Sequence, residues 1–145
     1  MSCCNDCIFL KIFSLSEWPM ILLNFSHPLS AEQLLIAESL VSSKFTSIID
    51  IKTHLDHQTS FPSQVKKLVG DIPLTSQQWQ NSKILLVPPS LSIVSCILLS
   101  ELHGRMGYFP AVLRVKPVPG STPPVFEPAE VLNLQAIRDS SRENR

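Results

Sequence analysis

Met20-Ile-Leu-Leu-Asn-Phe25, Ser26-His-Pro28 and Ser30-Ala-Glu-Gln33 follow one another almost without interruption. The first is a short apolar run, the second a turn by composition. The third is a helix start, because Ser30 and Gln33 stand at capping-box spacing. A buried strand that runs through a turn into a capped helix opens a βα unit, and the chain repeats that alternation.

Leu34, Ala37 and Val41 continue at helical spacing, which predicts a first helix over 31–42. Phe45-Thr-Ser-Ile-Ile-Asp-Ile51 is rich in β-branched residues and reads as a second strand. The polar loop 53–60 leads to a short helix near 62–69. Thr75 with Gln78 repeats the capping box and opens a helical turn around Trp79. Lys83-Ile-Leu-Leu-Val87 is the third strand, stopped by Pro88-Pro89. Ser90 is then placed to cap a helix whose stripe is Leu91, Val94, Leu98 and Leu102, ended by Gly104 or Gly107. Residues 109–116 read as a fourth strand and 117–124 as a loop. A last helix is expected from about Ala129 to Arg142, with Val131, Leu134 and Ile137 on its inner face.

Strands separated by helices pair in parallel through right-handed crossovers, and near-continuous apolar strands suit a sheet covered on both faces. The expected fold is a small doubly wound α/β domain with a mainly parallel sheet in the order 2-1-3-4, over residues 20–145. Ligands in such sheets sit beyond the carboxyl ends of the strands, where the order reverses. That nominates the loops at 24–28 and 88–90.

Composition narrows the function. Of 145 residues 44% are hydrophobic and 17% charged, with twelve Lys+Arg balancing twelve Asp+Glu. A neutral chain is poorly suited to grip long nucleic acid, which needs many cations at once. No apolar run reaches the ~18 residues that would span a membrane. Cys3, Cys4 and Cys7 cluster near the start while Cys96 lies in an apolar helical stretch. This is no disulfide framework, so a reducing cytoplasm is expected. Cys-Cys-x-x-Cys lacks the second ligand pair of a closed zinc site, and His54-Leu-Asp56-His57 reads as a solvated loop, so no metal is expected. Residues 1–19 lack the basic start and cleavage site of a signal peptide. They read as a leader ahead of a domain that starts at Met20. Their alternative is an arm packed through Ile8, Phe9, Leu10, Ile12 and Phe13.

The nominated loops carry modest chemistry. Asn24, Ser26 and His27 offer an amide, a hydroxyl and an imidazole to phosphate oxygens or a base edge. The plainer role is a strand-exit turn that satisfies its own backbone. Pro89 and Ser90 precede a helix N-terminus, where free N–H groups and the dipole favour an anion. Arg114 and Lys116 alternate on the fourth strand toward the loop with Ser121, and supply either local positive charge or ordinary surface cations. His103-Gly-Arg105 ends the third long helix on the opposite edge. There is no GxGxxG after the first strand, no GxxxxGK(S/T) and no GxSxG, so no cofactor is expected.

Four stretches, Met20-Ile-Leu-Leu-Asn-Phe-Ser-His-Pro-Leu29, Glu101-Leu-His-Gly-Arg-Met-Gly107, Gly120-Ser-Thr-Pro-Pro124 and Glu130-Val-Leu-Asn-Leu-Gln135, together resemble a small Csx-type CRISPR-associated protein family. The resemblance runs from Met20 to about Arg142 and leaves residues 1–19 without a counterpart. It implies a CARF-like, Rossmann-like domain that recognises cyclic oligoadenylates made by type III CRISPR complexes in antiviral defence. It further implies a homodimer with the ligand at the subunit interface, which either holds the messenger or cleaves it as ring nucleases do. The ligand set expected on this chain is Asn24, Ser26, His27, Pro89, Ser90, Arg114, Lys116 and Ser121, with Ser26 and His27 as catalytic candidates. The leading reading is a binder of the cyclic tetra-adenylate class. A metal-independent ring nuclease is the enzymatic alternative, and a flavodoxin-like or receiver-like scaffold follows from fold analogy alone.

A chain that begins at Met20 is expected to fold and bind as the whole chain does. Insolubility, or a loss of several kcal/mol where domain stabilities are ~5–15 kcal/mol, rejects this domain boundary.

Overall fold

The computed structural model describes residues 18–145. Most of the expected leader, with Cys3, Cys4 and Cys7, lies outside the described residues. The elements run in order β1 (Met20–Asn24), α1 (Ala31–Val41), β2 (Ser47–Asp50), α2 (Phe61–Gly70), α3 (Ser76–Asn81), β3 (Lys83–Val87), α4 (Ser92–Met106), β4 (Ala111–Pro117), β5 (Phe126–Asn133) and α5 (Leu134–Arg142). They form a five-stranded sheet ordered β2-β1-β3-β4-β5. The first four strands are parallel and β5 is antiparallel to β4. This is a mostly parallel, Rossmann-like α/β architecture, in the expected order with one strand added at the edge.

β1 lies inside the sheet between β2 and β3, and all five of its residues are buried. Alternate residues face opposite sides. Ile21 and Leu23 join Ile84 and Leu86 of β3 beneath Val65 and Val69 of α2, Trp79 of α3, and Val94, Leu98 and Leu102 of α4. Met20 and Leu22 join Leu85, Val87 and Leu113 against Ala37 of α1. Fully burying each such leucine contributes ~1.5–3 kcal/mol relative to leaving it in water. Pro19 extends the pairing by one residue, since its carbonyl accepts from the Lys83 N–H at 2.9 Å.

Both expected capping boxes form: Ser30 with Gln33 opens α1, and Thr75 with Gln78 opens α3. Gln33 has a second use, because its amide also donates to the Phe126 carbonyl at 2.6 Å and ties α1 to β5. α4 ends at Gly107, not Gly104, because Gly107 takes the left-handed φ of 82° that a C-cap requires. Tyr108 follows it, with its hydroxyl donating to the Ser82 carbonyl at 2.9 Å, and burial raises its phenol above the usual value.

Three expectations need correction. Residues 129–133 are strand, not the first turns of the last helix. Ala-Glu-Val-Leu has good helix formers and helical spacing, yet the seven-residue β4 offers a long ladder that pairs with Phe126–Asn133 instead. Ala129 is the extra residue of a bulge, because Arg114 opposes Glu130 while Val115 opposes Pro128. Pro128 is tolerated because β5 is an edge strand. Asn133 then accepts from the Ala136 N–H at 2.9 Å and caps α5. Second, Ser90 does not cap α4: the N-cap is Leu91, with no side-chain cap bond. Ser95 explains the shift, since its hydroxyl reaches back to the Pro89 carbonyl at 3.0 Å and holds the segment before the helix extended. Third, β4 begins at Ala111 and not at 109, because Phe109 spends its N–H on the Gln135 side chain at 3.0 Å.

Leu86→Ala, in the middle of β3 with no exposed surface, is expected to lower unfolding free energy in urea by ~2–5 kcal/mol. Ile137→Ala, on α5 with 55% of its surface exposed, is expected to change it by no more than ~0.5 kcal/mol. Equal losses at the two positions would contradict this assignment of the core.

Candidate functional site

The carboxyl ends of β1, β2 and β3 are stitched together at one residue. Asn24 closes β1, is wholly buried, and uses every polar atom of its side chain. Its amide nitrogen donates to the Asp50 Oδ1 at 2.7 Å and to the His27 carbonyl at 2.9 Å. Its amide oxygen accepts from the Ser26 N–H at 3.0 Å. An asparagine amide has two donor hydrogens, and both are committed. The backbone repeats the pattern: Ile51 N–H donates to the Asn24 carbonyl at 2.8 Å, and Phe25 N–H to the Val87 carbonyl at 2.9 Å. Thr53 adds a hydroxyl bond of 3.0 Å to the Phe25 carbonyl, which draws the loop after β2 onto the loop after β1.

Beyond this knot lies a cavity of about 670 Å³, within the ordinary range for small-molecule sites. Residues 25–28 form one wall, 50–53 with Leu55 and His57 another, and 89–91 with Val94 the third. It stands where strand order reverses around β1, as the topology requires. Ser26, His27, Lys52, His57 and Ser90 bring hydrogen-bonding side chains to it, while Phe25, Leu55, Leu91 and Val94 give it apolar surface. Within the described residues, the Ser26 and Ser90 hydroxyls make no hydrogen bond and Lys52 makes no ion pair. Asp50 is the one carboxylate among the lining residues. The uncapped start of α4 faces the same space through Leu91 and Val94. The arrangement can hold an anion by hydrogen bonds while an apolar ring lies against the opposite surface.

Four of the expected ligand residues, Ser26, His27, Pro89 and Ser90, meet in this cavity. Asn24 does not line it: the residue lies beneath the loop and positions Ser26, His27 and Asp50. Arg114 and Lys116 are elsewhere, engaged across the edge ladder with Glu130 and with Glu127 respectively, the latter at 3.3 Å. Ser121 is also elsewhere. Its hydroxyl donates to the Val118 carbonyl at 2.9 Å and accepts from the Val125 N–H at 3.0 Å, which pins the turn between β4 and β5. At the far end of α4, Arg105 pairs with Glu101 at 2.9 Å and His103 packs at a tilt of 46° against Phe109, with ring centres 4.4 Å apart.

Asp50, Lys52, Thr53 and His57 belong to the cavity and were not among the residues expected there. The strand-order rule names the loops flanking the switch, after β1 and β3. The end of β2 joins them because it neighbours β1, a signal present in the expected order 2-1-3-4. His57 also meets Phe61 edge-on, with centroids 5.4 Å apart and planes at 85°. Among the described residues no group of three or more His, Cys, Asp or Glu side chains is gathered to hold a metal ion. Likewise no described helix is long and apolar enough to cross a membrane.

Comparison with known proteins finds no match: no protein-family model matches the chain, and neither a curated protein nor a solved structure does.

Asn24→Ala removes three side-chain bonds from a residue with no exposed surface. It is expected to cost ~1–3 kcal/mol of unfolding free energy and to raise hydrogen exchange at Ser26 and Ile51. Unchanged stability and exchange would show that the strand ends are held by their backbone pairing alone.

Proposed function

We propose that this chain binds a cyclic oligoadenylate of the cyclic tetra-adenylate class in the crevice beyond β1, β2 and β3, and senses or lowers that signal mainly by holding it. The observation that carries this reading is the mixed wall at the switch point. Hydroxyl, imidazole and ammonium groups from three loops converge there beside apolar surface, which suits phosphates joined to a flat base. The sequence resemblance to Csx-type proteins supplies the cyclic form and the setting, a type III CRISPR response in the cytoplasm. A homodimer suits a symmetric ring, since two-fold symmetry doubles a small set of local donors around it. That is how a chain with no net charge would hold a polyanion of this size.

A second reading, a metal-independent ring nuclease, is favoured by one observation: His27 and His57 line the same cavity. In such a reaction a ribose 2′-hydroxyl attacks the adjacent phosphorus and the neighbouring phosphate ester oxygen departs. The protein aligns the three atoms and stabilises charge on the phosphate. Donors that hold every phosphate alike stabilise ground and transition states equally, which gives affinity without rate. Sequestration is therefore the primary reading.

Cyclic tetra-adenylate is expected to raise the melting temperature of the purified protein by mass action, and other ring sizes less. Ser26→Ala and His27→Ala are each expected to weaken binding by ~1–3 kcal/mol if they bond charged phosphate. Wild-type affinity in the double variant would remove both from the site. The bound ligand is expected to be recovered uncleaved. Many turnovers within minutes, lost in His27→Ala with binding retained, would establish the nuclease instead.

A further inference from the structure

The cavity holds one group that an anion by itself would not want. Asp50, the last residue of β2, contributes a carboxylate to a wall whose other polar side chains can all donate hydrogen bonds. An ionised carboxylate only accepts. It therefore repels phosphate and suits a ligand that brings a donor of its own.

The placement of this carboxylate is fixed from below. Asn24, with no exposed surface, grips Oδ1 at 2.7 Å, and that amide has no remaining donor. The second oxygen, Oδ2, accepts no hydrogen bond and joins no ion pair among the described residues. Lys52 stands two residues further along the same loop, also in the wall and also without an ion pair among the described residues. A cation and an acceptor thus line the same wall, two residues apart in the chain, each without a protein partner for its reaching atoms among the described residues. In a ribonucleotide the 2′-hydroxyl is close to the 3′-phosphate, which gives the same adjacency of donor and anion. The exocyclic amine of a base is much further from that phosphate, and the apolar surface of Phe25, Leu55 and Leu91 is where a base would lie.

We infer that Asp50, held by Asn24, accepts a hydrogen bond from a ribose 2′-hydroxyl and makes the site selective for ribonucleotides over deoxyribonucleotides. This rests on the proposed nucleotide binding and adds to it a specificity-determining residue.

The experiment measures affinity of the full chain for cyclic tetra-adenylate, for its 2′-deoxy counterpart and for its 2′-O-methyl counterpart, which keeps an oxygen but has no donor. Wild-type protein is expected to bind the ribose form ~10- to 100-fold more tightly than either analogue, the range for losing a hydrogen bond to a charged group. Asp50→Asn keeps an oxygen for Asn24 but puts an amide N–H donor in place of the free acceptor. It is therefore expected to lose the preference for the ribose form over the 2′-O-methyl form, whose 2′-oxygen accepts equally. Equal wild-type affinities for the three ligands, or an Asp50→Asn variant that keeps the preference for ribose over 2′-O-methyl, would overturn the assignment and leave nucleotide binding standing. Tight wild-type binding of the 2′-O-methyl form alone among the analogues would overturn it too. The three wild-type measurements decide the matter even if the variant does not fold. Failure of wild-type protein to bind any of the three removes the nucleotide reading itself, and this inference with it.

Discussion

A single buried amide organises the carboxyl end of this sheet. Asn24 is an uncompensated cost anywhere in a sheet core unless all its polar atoms are paired. Here they are paired, and each partner belongs to the candidate site. The bond to Asp50 positions the end of β2, the bonds to Ser26 and His27 shape the loop after β1, and the neighbouring Phe25 N–H closes onto β3. Strand ends that would otherwise fray are held as one rim. An apolar residue in the same place would fill the volume and leave the Ser26 N–H and His27 carbonyl to find other partners.

That rim explains why the cavity is both polar and open. Two of its strands, β1 and β3, come from the most buried part of the molecule, where β1 has core on both faces, while β2 is a largely exposed edge strand. Its polar side chains come from the first residues beyond those strands, where the chain meets water. A rigid base with exposed side chains on short loops is the usual way for an α/β sheet to present a site. The lining supplies more donors than acceptors, with Asp50 as the exception, and it mixes them with apolar surface. The two imidazoles leave room for chemistry, but acceleration needs groups that act on the transition state more than on the bound ligand.

The strongest cations offered by the sequence turned out to be engaged elsewhere. Arg114 and Lys116 alternate along β4, which suggested a basic face near the sheet's carboxyl end. Their partners Glu130 and Glu127 lie across β5, a strand that the local sequence disguises as helix. One misread element therefore displaced two residues and, with Ser121 in the β4–β5 turn, a third. Lys52 passed unnoticed for the opposite reason. It has no motif around it, and only its position beyond β2 brings it into the wall.

Local physics was enough for much of the fold. Capping boxes at Ser30 and Thr75, the αL glycine after α4, the proline stop after β3 and the apolar runs of β1 and β3 act between residues close in the chain. The alternation they create, with the handedness of crossovers, determined the order of the parallel strands and the place where a ligand would sit. Three matters were beyond that reach: the pairing of residues 126–133 with β4, the loss of the Ser90 cap to Leu91, and the use of Asn24 as a support rather than a ligand group. The first and third depend on which distant partner a backbone group or side chain meets. The second turns on Ser95, whose hydroxyl donates to the Pro89 carbonyl only six residues back. Helix propensity in Ala-Glu-Val-Leu is worth a few tenths of a kcal/mol per residue, while a strand ladder with cross-strand ion pairs offers more. Asn24 has the same donors in either role, and only the arrival of Asp50, 26 residues away, decided which they would serve.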